Sequence, residues 1–310
     1  MSGFPFLSHR GFLGAAAAVD QPFAIAGIAW DGCVTNRPGA RFGPKAIRAA
    51  SHMLCDAIHP WFDVSPTDAL GDAGDLDLPN TDLGAMRAAM RAPVAALLAR
   101  HHMVWLGGDH SVTLPLLRAY REQFARPLAC LHFDAHCDTW TNHFGEPSGH
   151  GTWVFEALKE GLVQPECMIQ LGIRSSGDRA AREHVRDRGG LIFSGRDLRG
   201  LDSPAQLAPI LQAVRERLGA HGQPPVYLSF DIDCLDPAFA PGTGTPEPGG
   251  ISSSAAFTIL EELADLPFVG MDCVEVAPAY DHGELTTLVA AQLVWAYLCG
   301  RMHGGARPLG

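Results

Sequence analysis

Short apolar runs alternate with longer, partly amphipathic segments along the chain, and this alternation restricts the fold more than any other feature. The apolar runs are Phe23 to Ala29, Met103 to Leu106, Leu128 to Phe133, Met168 to Ile173, Leu191 to Phe193, Val226 to Phe230 and Phe268 to Val276. The segments of helical length between them are Met86 to Arg100, Ser111 to Phe124, Gly151 to Gly161, Pro204 to Leu218 and Ser252 to Leu263. Runs of this kind are typical of buried strands. The alternation predicts an α/β fold with a mostly parallel sheet.

The chain of 310 residues is long enough for two small domains, but it shows no internal repeat and no long flexible linker. Its longest irregular stretch, Pro237 to Gly250, directly follows a predicted strand, where active-site loops belong in an α/β fold. Hydrophobic residues make up 47% of the chain, so material for a core is ample. We predict one domain over residues 23–310, preceded by an N-terminal arm over residues 1–22.

Composition excludes several classes of protein. The formal net charge of -11, with no basic stripe, argues against a nucleic-acid partner and is compatible with a small cationic substrate. The eight cysteines lack CxxC spacing, which argues against a zinc ribbon or a disulfide framework. The apolar stretch Phe12 to Val19 is too short to span a bilayer and makes a poor signal peptide. We therefore expect a cytoplasmic protein with no membrane partner.

Polar residues accumulate directly after three of the predicted strands. They occupy residues 107–111 (GGDHS), 134–138 (DAHCD) and 231–236 (DIDCLD). Alternation along an extended chain places Asp134, His136 and Asp138 on one face, and it does the same for Asp231 and Asp233. The carboxyl ends of parallel strands meet at one edge of a sheet. With His110 from the first segment, the sequence therefore predicts four carboxylates and two imidazoles in one crevice.

Such a crevice predicts a binuclear metal site. Carboxylates crowded together without cations repel one another and stay partly protonated, and two divalent ions remove that repulsion. An oxygen-rich set with two imidazoles and no thiolate on the same face favours Mn²⁺ over structural zinc, while Ni²⁺, Co²⁺ or iron also fit. One Asp-x-Asp after a strand is more often a helix cap or a turn. Three polar segments at one sheet edge favour the metal site.

The three segments resemble the signatures of the ureohydrolases, the family that includes arginase, agmatinase and guanidinobutyrase. The resemblance runs from Ile25 to about Leu298 and is strongest to agmatinase. It extends to residues 37–44 (RPGARFGP), 241–246 (PGTGTP) and 274–281 (VEVAPAYD). It implies a single-domain, arginase-like three-layer α/β/α sandwich, two Mn²⁺ ions in each chain, and a homo-oligomer that is a trimer or a hexamer.

The resemblance also implies roles for individual residues. One ion would be held by His110, Asp134, Asp138 and Asp231, and the other by Asp134, His136, Asp231 and Asp233, so that two aspartates bridge.

Beyond the ligands, the resemblance makes Glu275 the group that grips a guanidinium and His150 a shuttle of protons. Asp138 is a third catalytic candidate beside them. His143 is the second choice for proton transfer, and both His143 and Trp140 are candidates for substrate binding. The bound metal ions would provide a nucleophile at neutral pH, because they lower the pKa of water.

Two residues depart from the family pattern, and a third has no assigned role. Cys137 stands where a small hydroxyl residue is usual, but strand periodicity turns it away from the ligand face, so metal binding should survive. Trp140 stands where arginases place an Asn that helps to hold the α-carboxylate of their substrate. His132 lies inside a strand run and is expected to be structural. Trp140 cannot reproduce the contact that this Asn makes, so the sequence favours agmatine, cleaved to urea and putrescine, over arginine.

Other functions stay open on sequence alone. A guanidino-acid hydrolase such as guanidinobutyrase or guanidinopropionase, or a hydrolase of free guanidine, would share the metal core and differ only in the distal pocket. A non-catalytic metal-binding protein would keep the ligands without activity. A phosphoesterase would need an Arg/Lys cluster or a glycine-rich phosphate loop, and neither occurs near the polar segments.

Overall fold

The computed structural model describes residues 11–304, and within them eight parallel strands form one sheet. The strands are β1 (Phe23–Gly27), β2 (Leu70–Asp75), β3 (His102–Leu106), β4 (Leu128–Phe133), β5 (Val163–Ile173), β6 (Leu191–Ser194), β7 (Val226–Asp231) and β8 (Phe268–Val274). Their order across the sheet is β2-β1-β3-β8-β7-β4-β5-β6. The predicted parallel sheet is confirmed.

Helices connect the strands. They are α1 (Gly43–Ser51), α2 (Leu83–Leu98), α3 (Thr113–Phe124), α4 (Trp153–Lys159), α5 (Arg179–Arg182), α6 (Gly195–Leu198), α7 (Pro204–Ala220), α8 (Ser253–Glu262) and α9 (Leu285–His303). Short 3₁₀ turns follow β3 and β7 at His110–Val112 and Ile232–Cys234, and another at His150–Thr152 leads into α4. No helix within residues 11–304 combines the length and the apolar character required to cross a bilayer.

Apolar side chains cover both faces of the sheet because successive strand residues point in opposite directions. In β3, Val104 packs into one cluster with α1, α7, α8 and α9, whereas Trp105 packs into another with α2, α3 and α4. Both side chains are fully buried. Helices thus cover the sheet on both sides, which confirms the predicted three-layer α/β/α sandwich.

The described part of the predicted N-terminal arm packs on the edge of the sheet. Phe12 is fully buried, and its backbone N–H donates to Asp72 of β2 at 2.8 Å. Ala17 forms an isolated bridge with the same aspartate. Residues 1–10 lie outside the described residues, so the boundary at residue 22 stays a prediction.

Candidate active site

The carboxyl ends of β3, β7 and β4 bring the predicted metal-binding residues together, with β8 lying between β3 and β7 in the sheet. His110 opens the 3₁₀ turn after β3, Asp134 follows β4, and Asp231 closes β7. In the first group of contacts, the His110 Nδ1 atom lies 3.1 Å from Asp134 Oδ2, 3.2 Å from Asp138 Oδ2 and 3.1 Å from Asp231 Oδ2. All four side chains are buried. One imidazole nitrogen therefore faces three carboxylates at the sheet edge.

A second group of contacts shares Asp134 with the first. His136 Nδ1 lies 3.2 Å from Asp134 Oδ1 and 3.1 Å from Asp233 Oδ2. Two sets of side chains could each hold a metal ion, because the ligand atoms within each set lie within 4.8 Å of one another. The first set is His110, His132, Asp134 and Asp138, and the second is Asp134, His136 and Asp233. Asp134 alone belongs to both sets, which suits a ligand that bridges two ions. Asp231 belongs to neither, although its carboxylate contacts His110.

The carboxylates of the cluster compete for protons. Burial, followed by the negative charges of Asp233 and Asp134, raises the pKa of Asp231 well above its ordinary value. Burial and the charge of Asp134 raise the pKa of Asp138 to about 8. Burial also tends to raise the pKa of Asp134, but the neighbouring imidazoles of His110, His132 and His136 hold it well below its ordinary value. Divalent cations would relieve this competition, so the donor set fits a metal pair.

A buried relay orients His110. Ser229 has one hydroxyl proton and donates it to Asp272 Oδ1 at 2.8 Å, so its oxygen accepts from His110 Nε2 at 2.8 Å. This contact places the proton of the neutral imidazole on Nε2 and leaves the Nδ1 lone pair directed at the carboxylates. Asp272 also accepts from Tyr227 and Thr113, so the acceptor at the end of the relay is itself fixed.

A second relay reaches Asp134 from behind. His132 Nε2 lies 2.8 Å from Asp134 Oδ2, and Gln170 Nε2 lies 3.1 Å from His132 Nδ1. The same amide nitrogen donates to the Cys137 carbonyl at 2.8 Å, so His132 Nδ1 accepts and its Nε2–H donates to the carboxylate. His132, expected to be structural, thus lies directly behind the shared aspartate.

Glu275 and His150 form one wall of the pocket above the cluster. Glu275 Oε1 accepts from the backbone N–H of His110 at 2.9 Å and lies 2.9 Å from His150 Nδ1. The other ring nitrogen, His150 Nε2, lies 3.1 Å from the hydroxyl of Thr35. Burial lowers the pKa of His150, but the hydrogen bond and charge of Glu275 outweigh it and raise the pKa to about 9.

Two residues of the site have left-handed backbone conformations. Asp138 has φ 52° and Glu275 has φ 62°. Residues other than glycine adopt this region at a cost, so the surrounding contacts must hold both in place, and such strain is concentrated at functional sites. The Trp153 indole N–H donates to Asp138 Oδ2 at 2.7 Å, and the Gly108 carbonyl accepts from the Glu275 N–H at 2.8 Å.

The pocket has a volume of about 430 Å³. It is lined by Thr35, His110, His136, Asp138, Trp140, Asn142, His143, Phe144, His150, Gly151, Thr152, Asp231, Thr245 and Glu275. The cluster of His and Asp side chains lies at its base, and an aromatic mouth is formed by Trp140, His143 and Phe144, of which Phe144 is 89% exposed. Cys137 packs away from the pocket against Ile173, as strand periodicity predicts.

The match to known proteins is consistent with this geometry. The arginase family model matches residues 21–300. The chain belongs to the arginase family. It is a ureohydrolase, an enzyme that hydrolyses C–N bonds in amidines. It is 42% identical over 279 residues to an agmatinase of Chromobacterium violaceum, with 89% of this chain and 82% of that protein aligned. An agmatinase of Salmonella paratyphi B is 44% identical over 280 residues, which cover 88% of this chain and 85% of the relative.

Among solved structures, the proclavaminate amidino hydrolase of Streptomyces clavuligerus matches with a TM-score of 0.87 and 33% sequence identity. The match covers 97% of this chain and 99% of that one. The ureohydrolase fold is therefore shared along nearly the whole chain.

The ureohydrolase pocket also contains residues that the sequence did not single out. Thr35 contacts His150, and Thr245 donates to Asp233 Oδ2 at 3.1 Å. Both lie in loops at the carboxyl edge of the sheet, and Thr245 falls in a segment that resembles agmatinases. The position of Thr35 and Thr245 in these loops was the available sequence signal for a place in the pocket, because a threonine carries no specific mark of function. The ten predicted site residues all lie at the pocket or directly beneath it, and their roles stay predictions.

Proposed function

We propose that this ureohydrolase cleaves agmatine to putrescine and urea with two Mn²⁺ ions. The observation that carries the proposal is the pocket itself, which has a buried cluster of four carboxylates and two imidazoles at its base and the Glu275–His150 pair on its wall. The proposed ligands are His110, Asp134, His136, Asp138, Asp231 and Asp233. When bound, the ions supply a nucleophile at neutral pH by lowering the pKa of water.

Manganese suits this donor set. Carboxylate oxygens with two imidazoles favour Mn²⁺-type ions, although Ni²⁺ and Co²⁺ would also fit. No thiol of the described residues competes, because the two cysteines adjacent in sequence to proposed ligands, Cys137 and Cys234, are buried and neither lines the pocket.

Glu275 is suited to hold the guanidinium. Its Oε1 atom is occupied by His110 N–H and His150, whereas no hydrogen bond from a described residue reaches Oε2. A carboxylate matches the planar fork of N–H groups on a guanidinium. The side chain is only 2% exposed, so a substrate cation displaces little water and gains a strong interaction.

His150 is suited to deliver the proton that the reaction needs. Water adds to the guanidinium carbon, the bond from that carbon to the alkyl-bearing nitrogen breaks, and this nitrogen takes up a proton to leave as an amine. An imidazole whose pKa is raised to about 9 is protonated at neutral pH and can donate to that nitrogen.

The distal pocket favours agmatine over substrates with an acidic tail. No Lys or Arg is among the described residues that line the pocket. His143 does not replace them, because burial, followed by the charge of His150, lowers its pKa and keeps it neutral. An ammonium tail, by contrast, lies near aromatic faces at Trp140 and Phe144, which attract cations. A guanidino-acid hydrolase remains the second candidate, since the similar proclavaminate amidino hydrolase shows that this fold serves more than one amidine substrate.

We predict that agmatine is preferred over arginine by on the order of ten- to a hundredfold in kcat/KM. The α-carboxylate of arginine would lose water without a partner, which costs roughly 1 to 3 kcal/mol or more for a charged group. Urea release from agmatine, arginine, guanidinobutyrate, guanidinopropionate and guanidine at equal enzyme concentration tests this. Equal values for arginine would contradict the proposal, and a large preference for guanidinobutyrate would favour the second candidate.

We predict that Ser229→Ala weakens Mn²⁺ binding by about 10- to 100-fold while the fold is kept, because disrupting the partner of a metal-binding imidazole has effects of this size. The measurement is metal content after equilibrium dialysis against a Mn²⁺ series, with Ser254→Ala, an exposed serine of α8, as the control. Unchanged affinity in Ser229→Ala would mean that the relay to Asp272 does not orient His110.

We further propose a cytoplasmic homo-oligomer, a trimer or a hexamer. All eight cysteines are unpaired, which suits a reducing compartment. The assembly follows from family resemblance alone, and light scattering of the purified protein would test it.

A further inference from the structure

The loop that carries His150 is held by a chain of polar contacts that the catalytic chemistry does not use. Thr152 Oγ1 accepts from the Gly149 backbone N–H at 2.9 Å and donates to Glu156 Oε1 at 2.7 Å. Ser148 Oγ donates to the same Glu156 oxygen at 2.6 Å. One carboxylate oxygen of α4 thus fixes the residues on both sides of His150.

This series of polar contacts extends to α2, a helix far away in sequence. Arg87 of α2 donates from Nη1 to Ser148 Oγ at 2.7 Å, and the same nitrogen lies 3.6 Å from Glu156 Oε2. The two charged side chains are only 11% and 17% exposed. Arg87 Nε and Nη2 are buried without a hydrogen-bond partner among the described residues.

This pair is poorly explained as a device for stability. Removing two charges from water costs several kcal/mol per ion, and incomplete hydrogen bonding leaves part of that cost unrecovered. Buried ionic contacts of this kind are best justified where they fix a conformation. The conformation fixed here is that of a loop whose imidazole must meet Glu275 at one ring nitrogen and Thr35 at the other.

We propose that Arg87 and Glu156, acting through Ser148 and Thr152, are positioning residues that hold His150 in place for proton transfer. The inference rests on the proposed role of His150. A displacement of about 1 Å in a catalytic group can lower turnover by as much as a hundredfold. Two helices packed on the sheet thus supply a rigid support for a loop that would otherwise be free to move.

A double-mutant cycle tests the proposal. Glu156→Leu and Arg87→Leu are each made in the wild-type enzyme and in His150→Ala, and kcat and KM for agmatine are measured. We expect kcat to fall by about tenfold in the wild-type background, with KM changed by less than about twofold, because positioning affects the reacting geometry more than binding. In His150→Ala the same substitutions should cause no further loss.

Comparing the kcat of Thr152→Ser with that of Thr152→Val gives a second test, which does not depend on whether the leucine variants fold. Serine keeps the hydroxyl and should retain near wild-type kcat, whereas valine removes it and should behave like Glu156→Leu. Glu160→Leu is the matched control, since Glu160 lies one turn further along the same chain segment and pairs with Arg118 at the surface. It should leave kcat unchanged.

Equal losses in both backgrounds, or a change confined to KM, would overturn the positioning role while leaving the role of His150 intact. Wild-type turnover in His150→Ala itself would overturn both.

Discussion

Asp134→Ala is expected to abolish urea release, with a loss on the order of a thousandfold or more, because the proposed nucleophile would depend on bound metal. Asp134 belongs to both sets of closely spaced ligand atoms. Its two carboxylate oxygens contact His110, His132 and His136, and its side chain is fully buried. Removing this carboxylate should weaken the binding of both ions at once. It should also leave the three imidazoles without the acceptor that they share.

The expected measurement is metal content per chain together with turnover at saturating Mn²⁺. Asp231→Ala should cost more activity than His110→Ala if the resemblance is right that Asp231 also bridges. Asp187→Ala, at an exposed aspartate in a 3₁₀ turn, is the control and should keep both ions and full activity. Two bound ions and wild-type turnover in Asp134→Ala would refute the proposed site.

The strands that sequence predicts best are those buried on both faces. β2 was missed because its sequence, LGDAGD, is rich in glycine and aspartate, and only its first half is buried. As an edge strand it pairs with β1 alone and needs no continuous apolar run. α9 was missed for the opposite reason. Most of its residues are buried, so it is apolar all round and shows no helical period to detect.

The base of the site was predictable because its information is local. Asp134, His136 and Asp233 directly follow β4 and β7, so their place at the carboxyl edge of the sheet could be predicted without knowledge of any distant residue. The period-two alternation assumed for residues 231–234 was wrong, because Ile232–Cys234 form a 3₁₀ turn. Partners that are distant in sequence leave no such pattern. Thr35 is separated from His150 by 115 positions, and Ser229 from His110 by 119. Only the packed sheet brings them together.

The pocket mouth was also beyond the reach of sequence. Which side chains of residues 140–149 face inward depends on a loop without regular structure, in which His143 and Glu146 form an isolated backbone bridge. Gly149 allows this packing, because a side-chain carbon there would overlap the His143 imidazole. Sequence could name His143 and Trp140 as candidates but could not show that both line the pocket.

The second large effect is expected in His150→Ala, where kcat should fall by on the order of a hundredfold or more with both ions retained, because positioned acid–base groups contribute roughly 10²- to 10⁴-fold. His150 is not among the closely spaced ligand sets, and its ring nitrogens are occupied by Glu275 and Thr35. Metal content should therefore equal that of the wild type. Loss of an ion in this variant would mean that His150 supports the metal site instead.

The pH dependence separates proton transfer from a purely steric role of His150. Glu275 raises the pKa of this imidazole to about 9, so the donating form is present below that pH and is lost as the pH rises through it. Wild-type kcat should accordingly decline on the alkaline side, and His150→Ala should lack this decline at its lower rate. His150→Asn, which preserves a hydrogen-bonding side chain without a titrating proton, should resemble the alanine variant. If asparagine restores turnover with an unchanged pH profile, His150 orients the substrate and another group supplies the proton.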